Sequence, residues 1–151
     1  MQHIVGKFSE ERKEEILKPL YTIGQFILFP SNKIDKKATI NGARGLSARI
    51  VDRFDLTLEC IRRHYLNGES PLREVLLRYR DFFDLFGDFE GYIEFFLLQD
   101  LVHDGKVKFH LPFQDDWPTQ PLPKSIEEYE EYISNTIRFV VSRGRRMEGL
   151  V

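Results

Sequence analysis

The fold turns on one stretch, Ser47-Ala48-Arg49-Ile50-Val51-Asp52-Arg53-Phe54-Asp55-Leu56-Thr57-Leu58-Glu59-Cys60-Ile61-Arg62-Arg63-His64-Tyr65. At roughly 100° per residue, Ile50, Phe54, Leu58, Ile61 and Tyr65 share one stripe, with Val51 at its edge. This predicts a helix from about Ser47 to Leu66, ended by Asn67-Gly68. Its other side carries Arg49, Arg53, Leu56, Cys60 and Arg63, with Asp52 and Glu59 beside them. Leu56 and Cys60 are out of place on a solvated face, so that side is expected to touch protein too. Charges held there need partners, because an unpaired buried charge costs several kcal/mol.

Upstream, Thr39-Ile40-Asn41-Gly42-Ala43-Arg44-Gly45 reads as a glycine-flanked turn entering that helix. Glycines permit positive φ and close approach of a ligand to the backbone. A helix N-terminus adds free N–H groups, and an arginine adds a fork suited to phosphate. Asn41, Arg44, Arg49 and Arg53 are therefore a candidate site for a small phosphate ligand or nucleotide. The spacing matches no phosphate-loop fingerprint. A tight turn whose arginine pairs with an internal carboxylate is the plainer meaning.

Downstream, Ser70-Pro71 opens a helix with the stripe Leu72, Val75, Leu76, Tyr79, Phe82, Phe83 and Phe86, closed by Gly87. From Asp88 to about His103, apolar residues surround the next predicted helix almost completely, which marks a central, buried one. Glu94, Gln99 and Asp100 on it then need partners. The economical expectation is that Asp100, with Glu94, accepts from Arg44, Arg49 or Arg53. Asp52, Glu59, Glu94, Gln99 and Asp100 form the expected supporting polar network.

At the ends, Ser9 caps a short helix from Glu10 to about Pro19–Tyr21. Gln25 to Phe29 reads as a strand that returns through Ala38-Thr39-Ile40 as a hairpin. Asp104-Gly105 is a turn, Val107 to Leu111 a short strand, and Pro112 to Pro123 a surface loop. Ser125-Ile126-Glu127-Glu128 is a capping box opening a last helix that Gly144 is expected to stop. The expected class is α+β and predominantly α-helical. About five helices surround a central buried one at 88–103, with a small antiparallel hairpin or sheet, in a single domain over residues 1–151.

Several function classes are disfavoured by composition. Lys plus Arg is 22 against 24 for Asp plus Glu, so no positive field exists for broad nucleic-acid binding. The run Arg143-Gly144-Arg145-Arg146, with Arg138 before it, is only a local basic patch. The single cysteine, Cys60, fits a reducing compartment. Apolar runs such as Phe95-Phe96-Leu97-Leu98 are too short to span a membrane, and no leader pattern starts the chain, so a soluble cytoplasmic protein is expected. His64 and His103 have no second ligand at i+4, so no metal or other cofactor is expected. Cys60 reads as a buried, inert thiol; an accessible one beside Arg53 and Arg63 would be acidified.

Several segments resemble an uncharacterised bacterial family, domain of unknown function 6994. They include Phe29-Pro30, Thr39-Ile40-Asn41, Ala43-Arg44-Gly45, Asp52 through Tyr65, Ser70-Pro71-Leu72, Asp81-Phe82-Phe83, and Phe95 through Val102, ending at Phe139 and Arg143 with Arg145-Arg146. The resemblance covers roughly Ile23 to Met147 and is to the C-terminal part of the family pattern, without its N-terminal segment. Gly144 stands where an asparagine is typical. The resemblance supports the segment boundaries and implies no activity, cofactor or catalytic residue.

The functional expectation is a non-enzymatic intracellular binding or protein-interaction domain, associated with bacteria, phage or mobile elements. It rests on thirteen phenylalanines and the lack of a catalytic constellation. Phe82, Phe83, Phe86 and Phe89 are the expected surface for a protein partner or a homo-oligomer. The alternative is a phosphate- or nucleotide-binding protein or enzyme using the arginines before and along the 47–66 helix. Contact of structured nucleic acid with Arg138 to Arg146 is a weaker third.

Overall fold

The computed structural model describes residues 6–149, which form two compact units. One comprises the described residues up to Ile27 together with those from Pro121 onward; the other runs from Leu28 to Gln120.

In the first unit, Ser9 caps helix α1 (Glu10–Leu20), its side chain accepting from the Arg12 amide. A 3-10 turn follows at Ile23–Gln25. The strand expected from Gln25 does not form. The Gln25 and Phe26 amides close turns onto Thr22 and Ile23, and the carbonyls of Gly24 and Phe26 accept from Arg143 at 2.8 and 2.9 Å. The unit's other long element (Ile126–Glu148, numbered α7 in chain order) starts at Ser125, whose side chain accepts from the Glu128 amide. Ile16 packs with Tyr129 and Ile133, and Phe8, Tyr132 and Ile137 close around them. Gly144 does not stop α7. It lies inside the helix where the Gly24 turn crosses, and a Cβ on Gly24 would come within 2.0 Å of the Val140 carbonyl oxygen. Close packing of two backbones explains a helical glycine better than a stop signal does. The basic run is consequently helical, and Arg143 is buried rather than part of a solvated tail.

The second unit holds α2 (Ile40–Leu46), α3 (Phe54–Tyr65), α4 (Arg73–Arg78), α5 (Arg80–Asp84) and α6 (Phe89–Phe95). A two-residue hairpin pairs β1 (Val102–His103) antiparallel with β2 (Lys106–Val107) across Asp104-Gly105. The protein is thus α+β and predominantly helical, as expected. Thr39 and Ile40 do not return as a strand: Thr39 caps α2, accepting from the Gly42 amide at 3.2 Å. Asn41 to Gly45 is therefore helix, not a turn.

The central buried helix is α3, not residues 88–103. Every residue from Asp55 to Ile61 is buried, and α3 packs against α4, α6 and β2. The predicted 88–103 helix ends at Phe95 because its C-terminus folds into a Schellman turn. The Leu98 amide donates to the Ile93 carbonyl and the Leu97 amide to that of Glu94, with Leu97 at φ 57. A left-handed leucine costs roughly 1–2 kcal/mol. Turning the chain there buries Leu98 and Leu101, each worth about 1.5–3 kcal/mol, which offsets it. The helix expected after Ser70-Pro71 is likewise interrupted, at Tyr79 (φ −108, ψ 24), whose hydroxyl donates to the Asn32 carbonyl at 2.7 Å. The predicted stop after α3 is as expected: Asn67 is left-handed, and the Gly68 amide donates to the Arg63 carbonyl at 2.7 Å.

Candidate functional site

The start of α3 lies at Phe54, seven residues later than its periodicity suggests. Ser47 to Arg53 winds through turns instead, with Ile50 fully buried and Val51 and Asp52 at φ 47 and 59. Two successive left-handed residues, one of them β-branched, are backbone strain of the kind that surrounding contacts must hold.

Those contacts are charged. Arg53 precedes the first helical turn and clasps Asp55 with a fork, Nε to Oδ1 at 3.1 Å and Nη2 to Oδ2 at 2.6 Å. Both side chains are 2% exposed. Asp55 also accepts from the Leu56 amide at 2.9 Å and the His110 amide at 2.9 Å, so its lone pairs are fully used. Arg53 Nη2 further donates to the Leu111 carbonyl at 3.1 Å. The cluster ties the helix start to a segment more than fifty residues away, and Asp55 itself supplies the negative charge a helix N-terminus favours. Arg44 extends the cluster: its Nε donates to the Thr57 hydroxyl at 3.0 Å, Nη2 to the Asp52 carbonyl at 3.1 Å, and Nη1 pairs with the Asp52 carboxylate at 3.0 Å. Thr57 in turn donates to the Arg53 carbonyl.

One turn on, buried Glu59 accepts from Arg62 Nε at 2.8 Å and from Arg63 Nε at 2.8 Å. Arg63 continues to Asp115 and lies over Phe113 and Trp117, 5.7 and 5.2 Å from their ring centres. This fastens the proline-rich loop to α3. Cys60 is fully buried, and loss of solvation pushes its thiol up to about 12 despite the nearby Arg63. It is an inert thiol.

Of the residues predicted for a ligand site, Arg44 and Arg53 join one cluster with Asp52, while Asn41 and Arg49 are exposed. Glu59 belongs to the second cluster. Burial is expected for Glu94, Gln99 and Asp100 from the sequence; all three are exposed, because the helix that was to bury them ends at Phe95. Asp55 was not singled out in the sequence. Its signal was its position four residues before Glu59, which puts two carboxylates on one side of a buried helix.

The aromatic cluster divides. Phe83 is fully buried, so it is a core residue and not part of the expected surface. Phe82, Phe86 and Phe89 are half-buried. The exposed large apolar residues of this segment are Leu85, at 76%, and Phe95, at 69% exposure. The Phe86 ring lies 4.9 Å from Phe95 and 5.2 Å from Phe82, and Phe95 also meets Phe96 at 5.0 Å. Buried Tyr92 and Phe96 support these rings from beneath.

Fold and site together describe a helix-rich α+β protein with a charge-bearing buried helix and a supported aromatic face. The chain belongs to the family of unknown function DUF6994, whose model matches residues 1–147. Neither a curated protein nor a solved structure matches it. No helix among the described residues is long and apolar enough to cross a membrane.

Proposed function

We propose that this chain is a non-enzymatic intracellular protein-interaction domain whose binding face is built from Phe82, Leu85, Phe86, Phe89 and Phe95. The carrying observation is Phe95, a large ring 69% exposed on a helix whose neighbouring Phe96 is buried. Burying a phenylalanine is worth about 1.5–3 kcal/mol, so a ring left in water beside a ready core represents binding energy held back for a partner. Edge-on and tilted contacts with Phe86 and Phe96 hold it in one orientation, which lowers the ordering cost of association. A photo-crosslinking phenylalanine analogue at position 95 tests this in the cells that make the protein. Discrete protein adducts are expected there and not with the analogue at Leu46, which is 89% exposed but has no aromatic neighbours in the cluster. Equal labelling at both positions would count against the face.

A second reading, a phosphate ligand at Arg44, is favoured by one observation. Among the described residues, the one carboxylate paired with Arg44 is that of Asp52, itself 74% exposed and held at φ 59. A phosphate could take that place on the guanidinium. Arg49 and Asn41 stand exposed on the approach. Thermal shifts with a panel of nucleotides check it: stabilisation that Arg44→Ala removes supports a site, and no shift for the wild type sinks it.

A further inference from the structure

We propose that the partner docked on this face is a basic amphipathic helix; the inference rests on the reading of the face as a protein-binding surface. The observation is an alternation of acid and apolar residue along the segment. Asp81, Asp84, Asp88 and Glu94 are exposed and immediately precede Phe82, Leu85, Phe89 and Phe95. Four of the five apolar side chains of the face therefore have a solvated carboxylate as their neighbour in sequence, Phe86 being the exception. From residue 80 to 100 the acids are these four with Glu90 and Asp100, and the one cation is Arg80, which lies 3.6 Å from Asp81. Among the described residues, Asp84, Glu90 and Glu94 form no salt bridge. This differs from α3, where each acid has its arginine.

The rings supply the apolar floor and the acids supply a negative rim. A partner of matching chemistry presents apolar residues at i, i+3, i+4 and i+7 flanked by lysine or arginine, the pattern of a helix laid into a groove. Rim charges of opposite sign steer encounter and set register, whereas like charges brought together are repelled. A second copy docked through the same face about a two-fold axis would set acid against acid. The same acids repel an anionic membrane surface.

A displayed library of helix-forming peptides, panned against the full chain, tests both levels. The expected winners combine the apolar spacing with lysine or arginine, and Phe95→Ser abolishes their binding. Asp84→Lys with Glu94→Lys weakens them about tenfold, and raising the salt weakens them further. All three positions are exposed, and circular dichroism with a melting curve verifies that the variants remain folded. Winners that need Phe95 but are neutral or acidic would overturn the basic partner and leave the face standing. Winners indifferent to Phe95, or no winners, would overturn both. Self-association lost in Phe95→Ser would replace the basic helix by a second copy.

Discussion

Helix α3 includes Asp55, Glu59, Arg62 and Arg63, yet Asp55 to Ile61 is buried without a break; the segment from Arg80 to Phe96 holds seven aromatic residues, yet Leu85 and Phe95 stand in water. The difference is one of partners. In α3 each buried carboxylate meets a fork of donors, so charge is held inside at tolerable cost. In the aromatic segment the core is already filled by Phe83, Tyr92 and Phe96, and the remaining rings pack on its outer side, with Phe95 left 69% exposed. Residue type alone does not decide burial. Saturation of hydrogen bonds on one side and of core volume on the other does.

The largest break in this comparison comes from removing one member of the buried pair. Asp55→Ala leaves Arg53 charged, buried and short of its main acceptor, and is expected to cost about 3–5 kcal/mol in urea unfolding. The double variant Arg53→Met with Asp55→Leu should recover most of that loss, since no lone charge remains. A double variant as unstable as the single would show that the pair is held for more than charge balance.

Phe83→Ala asks the matching question of the rings. With Phe83 fully buried, the cavity and lost transfer energy should cost roughly 3–5 kcal/mol. A change under about 1 kcal/mol would mean that the cluster has no true core, and the contrast between its inner and outer rings would collapse.

A smaller effect is expected from pH. Burial holds His64 and His110 below the ordinary value of 6.5, with Asp84 and Asp55 opposing the shift in turn. The unfolded chain therefore takes up protons that the folded one resists. Stability is complete above about pH 6.5 and declines as pH falls through that value toward the folded pKa values. His110→Gln should flatten part of this slope in melts between pH 7.5 and pH 5 (values chosen to bracket the histidine range). An unchanged slope would remove His110 from the account.

Much of the fold was legible. Caps at Ser9 and Ser125, the end of α3 at Asn67 and the turn at Asp104-Gly105 follow from local hydrogen-bond chemistry, which sequence displays directly. What escaped was set by distant contacts. Leu97 adopts a left-handed turn because Leu98 and Leu101 gain a core, and Gly144 stays helical because Gly24 crosses it. Neither cause lies within one turn of its effect. Leu56 and Cys60 predict that the second side of α3 touches protein, and both are fully buried. The sequence points its arginines toward residues 94–100, whereas the fork closes on Asp55, only two residues from Arg53. Helical periodicity hid that contact, because residues two apart face different ways on a helix and Arg53 lies just outside it. For the face, half-buried and buried phenylalanines share one stripe in sequence, so Phe83 and Phe82 could not be told apart without the packing of Tyr92 and Phe96.

The exposed rings serve either the fold or a partner. Urea unfolding of Phe95→Ser addresses this most directly. The prediction is a loss below about 1 kcal/mol, since a ring 69% exposed keeps only part-solvated contacts with Phe86 and Phe96. A loss of about 2 kcal/mol or more would make Phe95 a stabilising residue and contradict its assignment to a partner.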